Sequence, residues 1–410
     1  MFPRKLILVA TLCALVLACS KKDDPEPEQT PEVILSIEVG TQWANWYWVY
    51  ATDDNGEVLD IKGCGRGLTE LKASTELSKI NVTLCRKGDP DSQSNNFTFT
   101  TYMGVPVKTT IELPDDPIPT PGNDLGAAIF SIANYVESGD PLLNLSFSTR
   151  QQNPSVDRPV EESFENNSLV LAYTLRESPA KVLVTGKRGE TPVYFLKTGI
   201  KPQDQLDLDY NTDFKPADKI LKIDYFGYNA ATALGFMNGE SNSYFLSSAN
   251  TDSQNLGYVD GFDRYQTSIF NNNTVNRNNT QYFKEGTPAS AITFPLHNLT
   301  VTNPGRATFD FTLIPSYTYA RAEWRYSVGS DVITMTTYGD ASTKLKCFDF
   351  PAKLTEMYQF LDKLDRSKIL FNTMKVYQHV DGFTYADFLA ATLRGEKPAT
   401  TEVFIFDNVY

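Results

Sequence analysis

Residues 45–62, NWYWVYATDDNGEVLDIK, decide the fold of the N-terminal part of this chain. Aromatic and β-branched residues fill both ends of the stretch, and DDNG in the middle is a turn signal of the kind that joins two antiparallel strands. The stretch therefore predicts a β-hairpin. Its large side chains suit the pleated, half-buried surfaces of a β-sandwich.

The type of turn decides which side chains of this hairpin are buried. If Asn55-Gly56 forms a two-residue type I′ turn, Trp46, Trp48 and Tyr50 face a core. If the turn is instead a type I turn with a glycine bulge, the pairing shifts by one residue and the same side chains face outward. The sequence leaves both registers open.

Three of the chain's four tryptophans lie at positions 43, 46 and 48. In the outward register, Trp43, Trp46, Trp48 and Tyr50 form an aromatic surface that either packs on another part of the protein or stacks on a ligand. Sugar rings have apolar faces that such a surface can hold. These four residues are therefore the candidate ligand-binding residues, with a glycan as the ligand.

The hairpin belongs to a predicted small domain, residues 33–113. Strand-like runs fill it, with turns about every 8–12 residues, and its size is that of a small immunoglobulin-like or transthyretin-like sandwich. The segment 114–123 contains four prolines. Because proline cannot donate a hydrogen bond to a sheet, we expect a linker there.

Residues 124–410 are predicted to form a larger β-rich domain with one or two sandwiches. Two segments have helical spacing instead: 351–365, which opens with Pro351, and 385–395, which ends at Gly395. The segment 125–138 fits either period. We therefore expect a mainly β chain, with a small N-terminal sandwich, a larger β-sandwich region and one or two short helices.

The first 18 residues have the form of a signal peptide. Arg4 and Lys5 precede an apolar run that is shorter than the roughly 20 residues needed to span a bilayer. The run ends in VLAC, residues 16–19, which resembles the lipobox of bacterial lipoproteins. The resemblance implies cleavage before Cys19 and acylation of that residue, which would make the lipid bilayer a partner of the mature chain.

Residues 19–32, CSKKDDPEPEQTPE, form a predicted acidic tether. The segment has no apolar face to bury, and we expect it to be disordered. Its Cys-Ser start, followed by lysines and acidic residues, resembles the export tag of surface lipoproteins in Bacteroidota. That resemblance implies an outer-membrane protein displayed at the cell surface.

Composition and motifs narrow the classes of function. The net charge is −13, and an acidic chain repels phosphate backbones, so we expect no nucleic-acid partner. The sequence has no GxSxG, HExxH, P-loop or CxxC motif, and its only histidines are His297 and His379. We therefore expect a protein that is not an enzyme.

Three cysteines lie beyond the anchor: Cys64, Cys85 and Cys347. An extracytoplasmic location permits disulfides, and Cys64 and Cys85 fall in the same predicted domain, so a bridge between them is one prediction. Two buried free thiols are the alternative. We expect Cys347 to be a core residue.

One acidic segment has the spacing of a calcium loop. The residues at loop positions 1, 3, 5, 7 and 12 are Asp207, Asp209, Asn211, Asp213 and Asp218. Calcium takes six to eight oxygen ligands, which such a segment can supply. Thr212 stands where the loop needs glycine, however, and the alternation of acids with apolar residues also fits a strand with one solvated face. Calcium is thus the one cofactor that the sequence raises.

These features together predict a non-catalytic, lipid-anchored binding protein of the cell surface, with glycans as ligands. In layout it is similar to the glycan-binding lipoproteins that accompany starch-utilisation systems. The alternative is a structural or adhesive lipoprotein, such as a fimbrial or assembly subunit of a surface protein complex. A third reading is a glycoside hydrolase with a carboxylate pair.

Overall fold

The computed structural model describes most of the chain, in the residues 30–40, 47–88, 95–113, 124–135, 145–149, 161–165, 167–223, 228–237, 243–250, 254–273, 278–314, 316–396 and 401–409. The signal peptide, Cys19, most of the tether, Trp43, Trp46 and the predicted linker lie outside these ranges. Within them the chain is mainly β with a few short helices, and the predicted fold class is confirmed.

The first unit is a two-layer sandwich, which we call the first sandwich. Its strands are β1 Glu32–Val39, β2 Tyr47–Thr52, β3 Val58–Cys64, β4 Gly67–Ala73, β5 Lys79–Lys87, β6 Asn96–Pro106 and β7 Thr109–Leu113. One layer has the order β4-β1-β7, and the other has the order β3-β2-β5-β6. Between them lies an apolar core that includes Leu35, Ile37, Val49 and Val82, all buried.

The second unit is also a sandwich. Its strands are β8 Ala127–Ala133, β9 Ser146–Ser148, β10 Glu161–Glu165, β11 Ser168–Thr174, β12 Ala180–Arg188, β13 Thr191–Ile200, β14 Gln205–Asp209 and β15 Lys215–Pro216. They form the sheets β10-β11-β8-β14 and β15-β13-β12-β9 around a separate core. The segment 125–138, whose spacing fits either a helix or a strand, contains the strand β8. Its residues Ala128, Phe130 and Ile132 alternate into that core.

The third unit supplies the remaining elements: β16 Lys219–Lys222, β17 Tyr228–Phe236, β18 Tyr244–Asn250, β19 Asn255–Tyr258, β20 Arg264–Asn273, β21 Asn278–Gly286, β22 Asn298–Asn303, β23 Asp310–Ile314, β24 Tyr319–Val328, β25 Asp331–Asp340, α1 Ala352–Met357, α2 Gln359–Lys363, β26 Leu370–His379, α3 Tyr385–Arg394 and β27 Thr401–Val409. A short 3₁₀ turn, Arg366–Lys368, precedes β26. β16 pairs with β19, and β22 pairs with β23, in two small ribbons.

The first and third units share one long sheet. Its described strands have the order β18-β17-β20-β21-β27-β26-β24-β25-β6-β5-β2-β3. The junction is a parallel pairing of β6 with β25, which runs from Asn96 opposite Val332 to Tyr102 opposite Tyr338. Consequently the sheet that forms one layer of the first sandwich continues without a break into the C-terminal part of the chain.

The predicted helix over 351–365 forms two short helices, α1 and α2. The backbone becomes extended at Tyr358, with φ −116° and ψ 92°, so the helix is interrupted there. We call residues 345–364 the strap, because they cross the face of the shared sheet around β2, β5 and β6. Phe350 lies 4.9 Å from Phe99, and Tyr358 lies 5.1 Å from Phe97, between ring centroids.

The second predicted helix is α3, and it ends at Gly395 as expected, with φ +67° in the left-handed region. Its start is fixed by a capping box, in which the Thr384 hydroxyl accepts from the Asp387 N–H and the Asp387 carboxylate accepts from the Thr384 N–H. Leu389 and Leu393 are buried against the first sandwich, so α3 extends the β4-β1-β7 layer. None of the helices described is long and apolar enough to cross a membrane.

The predicted Cys64–Cys85 disulfide is wrong. Both cysteines are buried free thiols, and they belong to different cores on opposite faces of the shared sheet. A bridge cannot form through the sheet, since its geometry requires the two β-carbons to face each other within about 4.5 Å. Cys347 is a buried core residue, as predicted.

Candidate functional site

The hairpin of residues 45–62 combines features of both predicted turns. The Gly56 N–H donates to the Asp53 carbonyl at 3.2 Å, the Asp53 N–H donates to the Glu57 carbonyl at 3.0 Å, and Gly56 has φ +90°. This is the type I turn with a glycine bulge. A side chain at Gly56 would also collide with the ring of Phe348, because an added Cβ would lie 2.8 Å from it.

The register of the hairpin nevertheless is the one expected from the two-residue turn. A second irregularity between Ala51 and Thr52 shifts the pairing back by one residue, so that Tyr50 lies opposite Ile61 and Trp48 lies opposite Gly63. Neither predicted alternative included this second bulge. It places Val49 and Ala51 in the first sandwich, and Trp48 and Tyr50 on the other face.

The face that carries Trp48 and Tyr50 is covered by the strap. The Trp48 indole N–H donates to the Tyr358 hydroxyl at 3.2 Å, and the Lys353 ammonium lies 5.6 Å from the Trp48 ring centroid. The Tyr50 side chain is 1% exposed, which corrects its assignment as a ligand-binding residue. Trp48 is half-buried, so the two described residues of the predicted aromatic surface, Trp48 and Tyr50, pack within the protein.

The residues of the predicted calcium loop cap a turn and anchor a neighbouring segment. The Asp209 carboxylate accepts from the Asn211 N–H at 2.8 Å, and the Asp213 carboxylate accepts from the Asp209 N–H at 2.7 Å. Asp207 is exposed on β14. Asp218 instead accepts from the Tyr194 hydroxyl at 2.6 Å. Across the residues that the structure describes, no three His, Cys, Asp or Glu side chains are grouped as metal ligands, and calcium stays a prediction.

The candidate ligand site is a groove between the first sandwich and α3, with a volume of about 900 Å³. One wall is the β6–β7 turn and the start of β7, with Val107 and Thr110. The other wall is α3, with Leu389 and Leu393, and Asp340 at the end of β25 lies between the walls. Ligand sites in proteins have this size, and they combine apolar walls with a few polar groups. We call this site the groove.

Asp340 is an ionised carboxylate held by its own turn. Its Oδ1 accepts from the Ser342 N–H at 2.8 Å, from the Ser342 hydroxyl at 2.7 Å and from the Thr343 hydroxyl at 2.7 Å. Burial alone would raise the pKa of Asp340, but these hydrogen bonds and the charge of Lys79 lower it below the usual range. Asp340 is therefore negatively charged at neutral pH.

Tyr385, at the first turn of α3, fixes the helix to the sheet. Its hydroxyl donates to the carbonyls of Met103 and Tyr338, both at 3.0 Å. Burial raises the pKa of Tyr385 far above its ordinary value, so the phenol remains protonated and acts as a donor. The helical wall of the groove is thus attached to both β6 and β25.

A buried histidine lies directly behind the groove. The His379 side chain is 3% exposed, and its ring lies 4.3 Å from that of Phe383, which lines the groove. Neither ring nitrogen has a hydrogen-bond partner among the described residues, although Nδ1 lies 3.6 Å from the Asp381 carboxylate. Burial lowers the pKa of His379, and the charges of Asp381 and Asp387 oppose that shift. His379 is therefore neutral at pH 7.

The groove could not be predicted from the sequence, because its residues come from distant parts of the chain. The segments that line it lie around positions 79, 104–110, 318, 340–342 and 383–394. None of them carries a motif. Comparisons of the chain with protein-family models, with curated proteins and with solved structures found no match.

Proposed function

We propose that this protein is a non-catalytic, lipid-anchored binding protein of the bacterial cell surface, and that it binds a glycan in the groove. The observation that supports the proposal is the groove itself, a concave site of about 900 Å³ built on regular elements. We assign glycan binding to the groove and not to the aromatic surface of the hairpin, because Trp48 and Tyr50 pack against the strap.

The walls of the groove suit a ligand with both apolar and hydroxylated faces. Val107, Leu389 and the half-buried ring of Phe383 offer apolar contacts for the C–H face of a sugar. The Thr318 hydroxyl oxygen accepts a hydrogen bond from the backbone N–H of His379 at 3.1 Å, which leaves the hydroxyl proton able to donate to a ligand. A few polar groups among apolar ones are what fixes the orientation of a bound molecule.

The position of the groove agrees with a protein held at a membrane. Thr30, the first described residue, lines a neighbouring cavity of about 450 Å³, and Val107 and Lys108 line both cavities. Thr30 follows the lipobox cysteine by eleven residues, a length of chain that spans at most about 40 Å. Acylation of Cys19 would therefore hold the groove near the lipid surface.

Hydrolysis of glycans finds less support in this site. Glycosidases generally use two carboxylates, one of which has a raised pKa. Among the described residues that line the groove, Asp340 is the one carboxylate, and its pKa is lowered. The groove is therefore suited to binding rather than to acid catalysis.

The structural alternative has one observation in its favour, which is the sheet shared by the first and third units. The hydrogen bonds between strands are continuous from β2 to β27, so a mechanical force would pass through the sheet and not through a flexible linker between domains. An adhesive or assembly subunit would use such a body, and it would associate with itself or with a surface complex. Sedimentation of the purified protein over a range of concentrations tests this alternative.

The proposed function is tested by filling the groove. Ala386 is exposed on α3 and lines the groove, so Ala386→Trp should occupy the site without entering a core. Thr392→Trp is the matched control, because Thr392 is exposed on the same helix and does not line the groove. On a glycan array, wild type and Thr392→Trp should bind the same glycans and Ala386→Trp should bind none.

Two results would reject this proposal. If wild type binds no glycan on the array, the ligand class is wrong. If Ala386→Trp binds as wild type does, glycans bind elsewhere and the groove is not the site.

A further inference from the structure

We infer that the groove selects acidic glycans, in which carboxylate groups of the sugar meet cationic side chains at its rim. This inference rests on the proposed function, since it specifies the ligand of the same site. Among the described residues that line the groove, three have cationic side chains, Lys79, Lys108 and Arg394, and one has a carboxylate, Asp340. This local excess of positive charge is opposite in sign to the net charge of the chain, which is −13.

Lys79 is the cation that is most available to a ligand. It is exposed at the start of β5, and within the described ranges it forms no ion pair. Lys79 and Asp340 both line the groove, and the charge of the lysine helps to lower the pKa of this carboxylate. A ligand carboxylate bound at Lys79 would add to an electrostatic field that already favours negative charge.

The other two cations have partners that a ligand can replace. Lys108 pairs with Glu32 at 3.0 Å, where both side chains are about 70% exposed, and Arg394 pairs with Glu396 at 3.1 Å. Exposed ion pairs of this kind contribute little to stability, because water screens the charges and long side chains lose entropy when they are held together. Glu32 and Glu396 do not line the groove, so the two cations can turn to a bound anion.

Asp340 does not cancel this preference. Its Oδ1 accepts three hydrogen bonds from Ser342 and Thr343, and these donors partly neutralise the charge of the carboxylate. A ligand carboxylate that replaces Glu32 at Lys108 and Glu396 at Arg394 would therefore meet three positive charges, and one carboxylate that already accepts three hydrogen bonds. A neutral sugar could accept hydrogen bonds from the same side chains, but it would gain no attraction between opposite charges.

The inference is tested with matched pairs of oligosaccharides. The probes are oligomers of galacturonate, glucuronate and mannuronate, each with its methyl-esterified form, which keeps the sugar backbone and removes the charge. We expect at least one acidic oligomer to bind the full-length protein at least tenfold more tightly than its ester, measured by titration calorimetry. We also expect the preference to shrink as salt is raised from 20 mM to about 500 mM, because screening weakens exposed charge pairs.

Charge reversal provides the second test. Lys79→Glu should weaken the binding of that acidic oligomer at least tenfold, and it should weaken the binding of the ester by much less, because the ester carries no charge for Glu to repel. Lys197→Glu is the matched control, since Lys197 is exposed on β13 of the second sandwich and does not line the groove. It should bind as wild type does.

The outcomes separate the inference from the proposed function. If neutral glycans bind as tightly as acidic ones, or if Lys79→Glu has no effect, the inference is wrong while glycan binding stands. If no glycan of either kind binds, both are wrong. If an acidic peptide such as oligoglutamate binds as tightly as the acidic sugars, the groove recognises charge alone and its assignment to glycans is overturned.

Discussion

The two faces of the shared sheet around β2 are covered in different ways. On one face the β4-β1-β7 layer and α3 lie side by side, and the space between β7 and α3 is the groove. On the other face the strap covers β2, β5 and β6 with aromatic side chains. A strand and a helix that pack side by side, such as β7 and α3, can leave a concave space between them because neither bends to follow the other. An irregular segment can follow the surface beneath it.

Because the two faces are covered differently, the candidate ligand site is not on the aromatic face that the amino-acid composition suggested. Of the predicted ligand-binding aromatic residues, the two that the structure describes lie under the strap, where the Trp48 indole N–H donates to the Tyr358 hydroxyl and Tyr50 is buried. The groove on the opposite side is lined mainly by aliphatic, hydroxyl and charged side chains. Large aromatic side chains bury more area than any others, so a core uses them as readily as a ligand site does.

The largest expected difference between the two faces of the sheet is in the rate at which their cysteines, Cys64 and Cys85, react with an alkylating reagent. Burial raises the pKa of Cys64, under the β4-β1-β7 layer, to about 11, and it raises that of Cys85, under the strap, further still. At pH 8 the reactive thiolate of Cys64 is therefore about a hundredfold scarcer than that of an ordinary thiol. Iodoacetamide labelling, followed by peptide mapping, should modify Cys64 before Cys85 and both rapidly after unfolding. A mapped Cys64–Cys85 disulfide would contradict their placement on opposite faces.

The second test removes a large aromatic ring that is buried beneath the strap. Tyr50→Ala should lower the free energy of unfolding by about 3–5 kcal/mol, the usual cost of deleting a large buried aromatic side chain. Chemical denaturation measures it. Tyr50→Phe is the control, because it retains the ring, and its loss should be much smaller. Equal losses in the two variants would mean that packing under the strap is not what stabilises this face.

A smaller effect concerns the hydrogen bond between Trp48 and Tyr358. Tyr358→Phe removes the hydroxyl that accepts from the indole N–H and keeps the ring contact with Phe97. The free energy of unfolding should fall by about 0.5–1.5 kcal/mol. A double-mutant cycle with Trp48→Phe isolates this interaction, and additive losses in the cycle would show that the strap is held by ring packing alone.

The smallest expected effect is a pH dependence of the free energy of unfolding, which comes from His379 on the groove side of the sheet. The pKa of His379 is lowered in the folded protein, so the unfolded chain binds more protons once the pH falls below about 6.5. The free energy of unfolding should therefore decrease between pH 7 and pH 5. Asp381 at 3.6 Å and Asp387 oppose this shift, which limits its size.

His379→Phe should remove part of that pH dependence, as measured by denaturation at each pH. His297, whose pKa is also lowered by burial, accounts for a remainder and serves as the comparison site. If His379→Phe and wild type lose stability in parallel, the histidine behind the groove is not the group that titrates.

Much of the secondary structure follows from local patterns, and the exceptions have identifiable causes. In the first sandwich, β4 has the sequence GLTELKA, in which only Leu71 is buried and Leu68 is 64% exposed, so no alternation of apolar and polar residues marks this strand. The helix over 351–365 was predicted as one element, but it is interrupted at Tyr358, whose side chain packs against β6 and β2. Tertiary contacts overrode the local period there.

The sequence by itself determined the mainly β class, the β-hairpin and the C-terminus of α3, because each depends on neighbouring residues in the chain. Only the tertiary structure decided the fate of Trp48 and Tyr50, since a bulge at Ala51 and a covering strap from residues 345–364 set it together. The tertiary structure also determined which residues form the groove. The Asn95 N–H donates to Asp331 across 236 residues of sequence, beside the junction of β6 and β25. A site built over such separations leaves no local pattern, because its residues become neighbours only when the chain has folded.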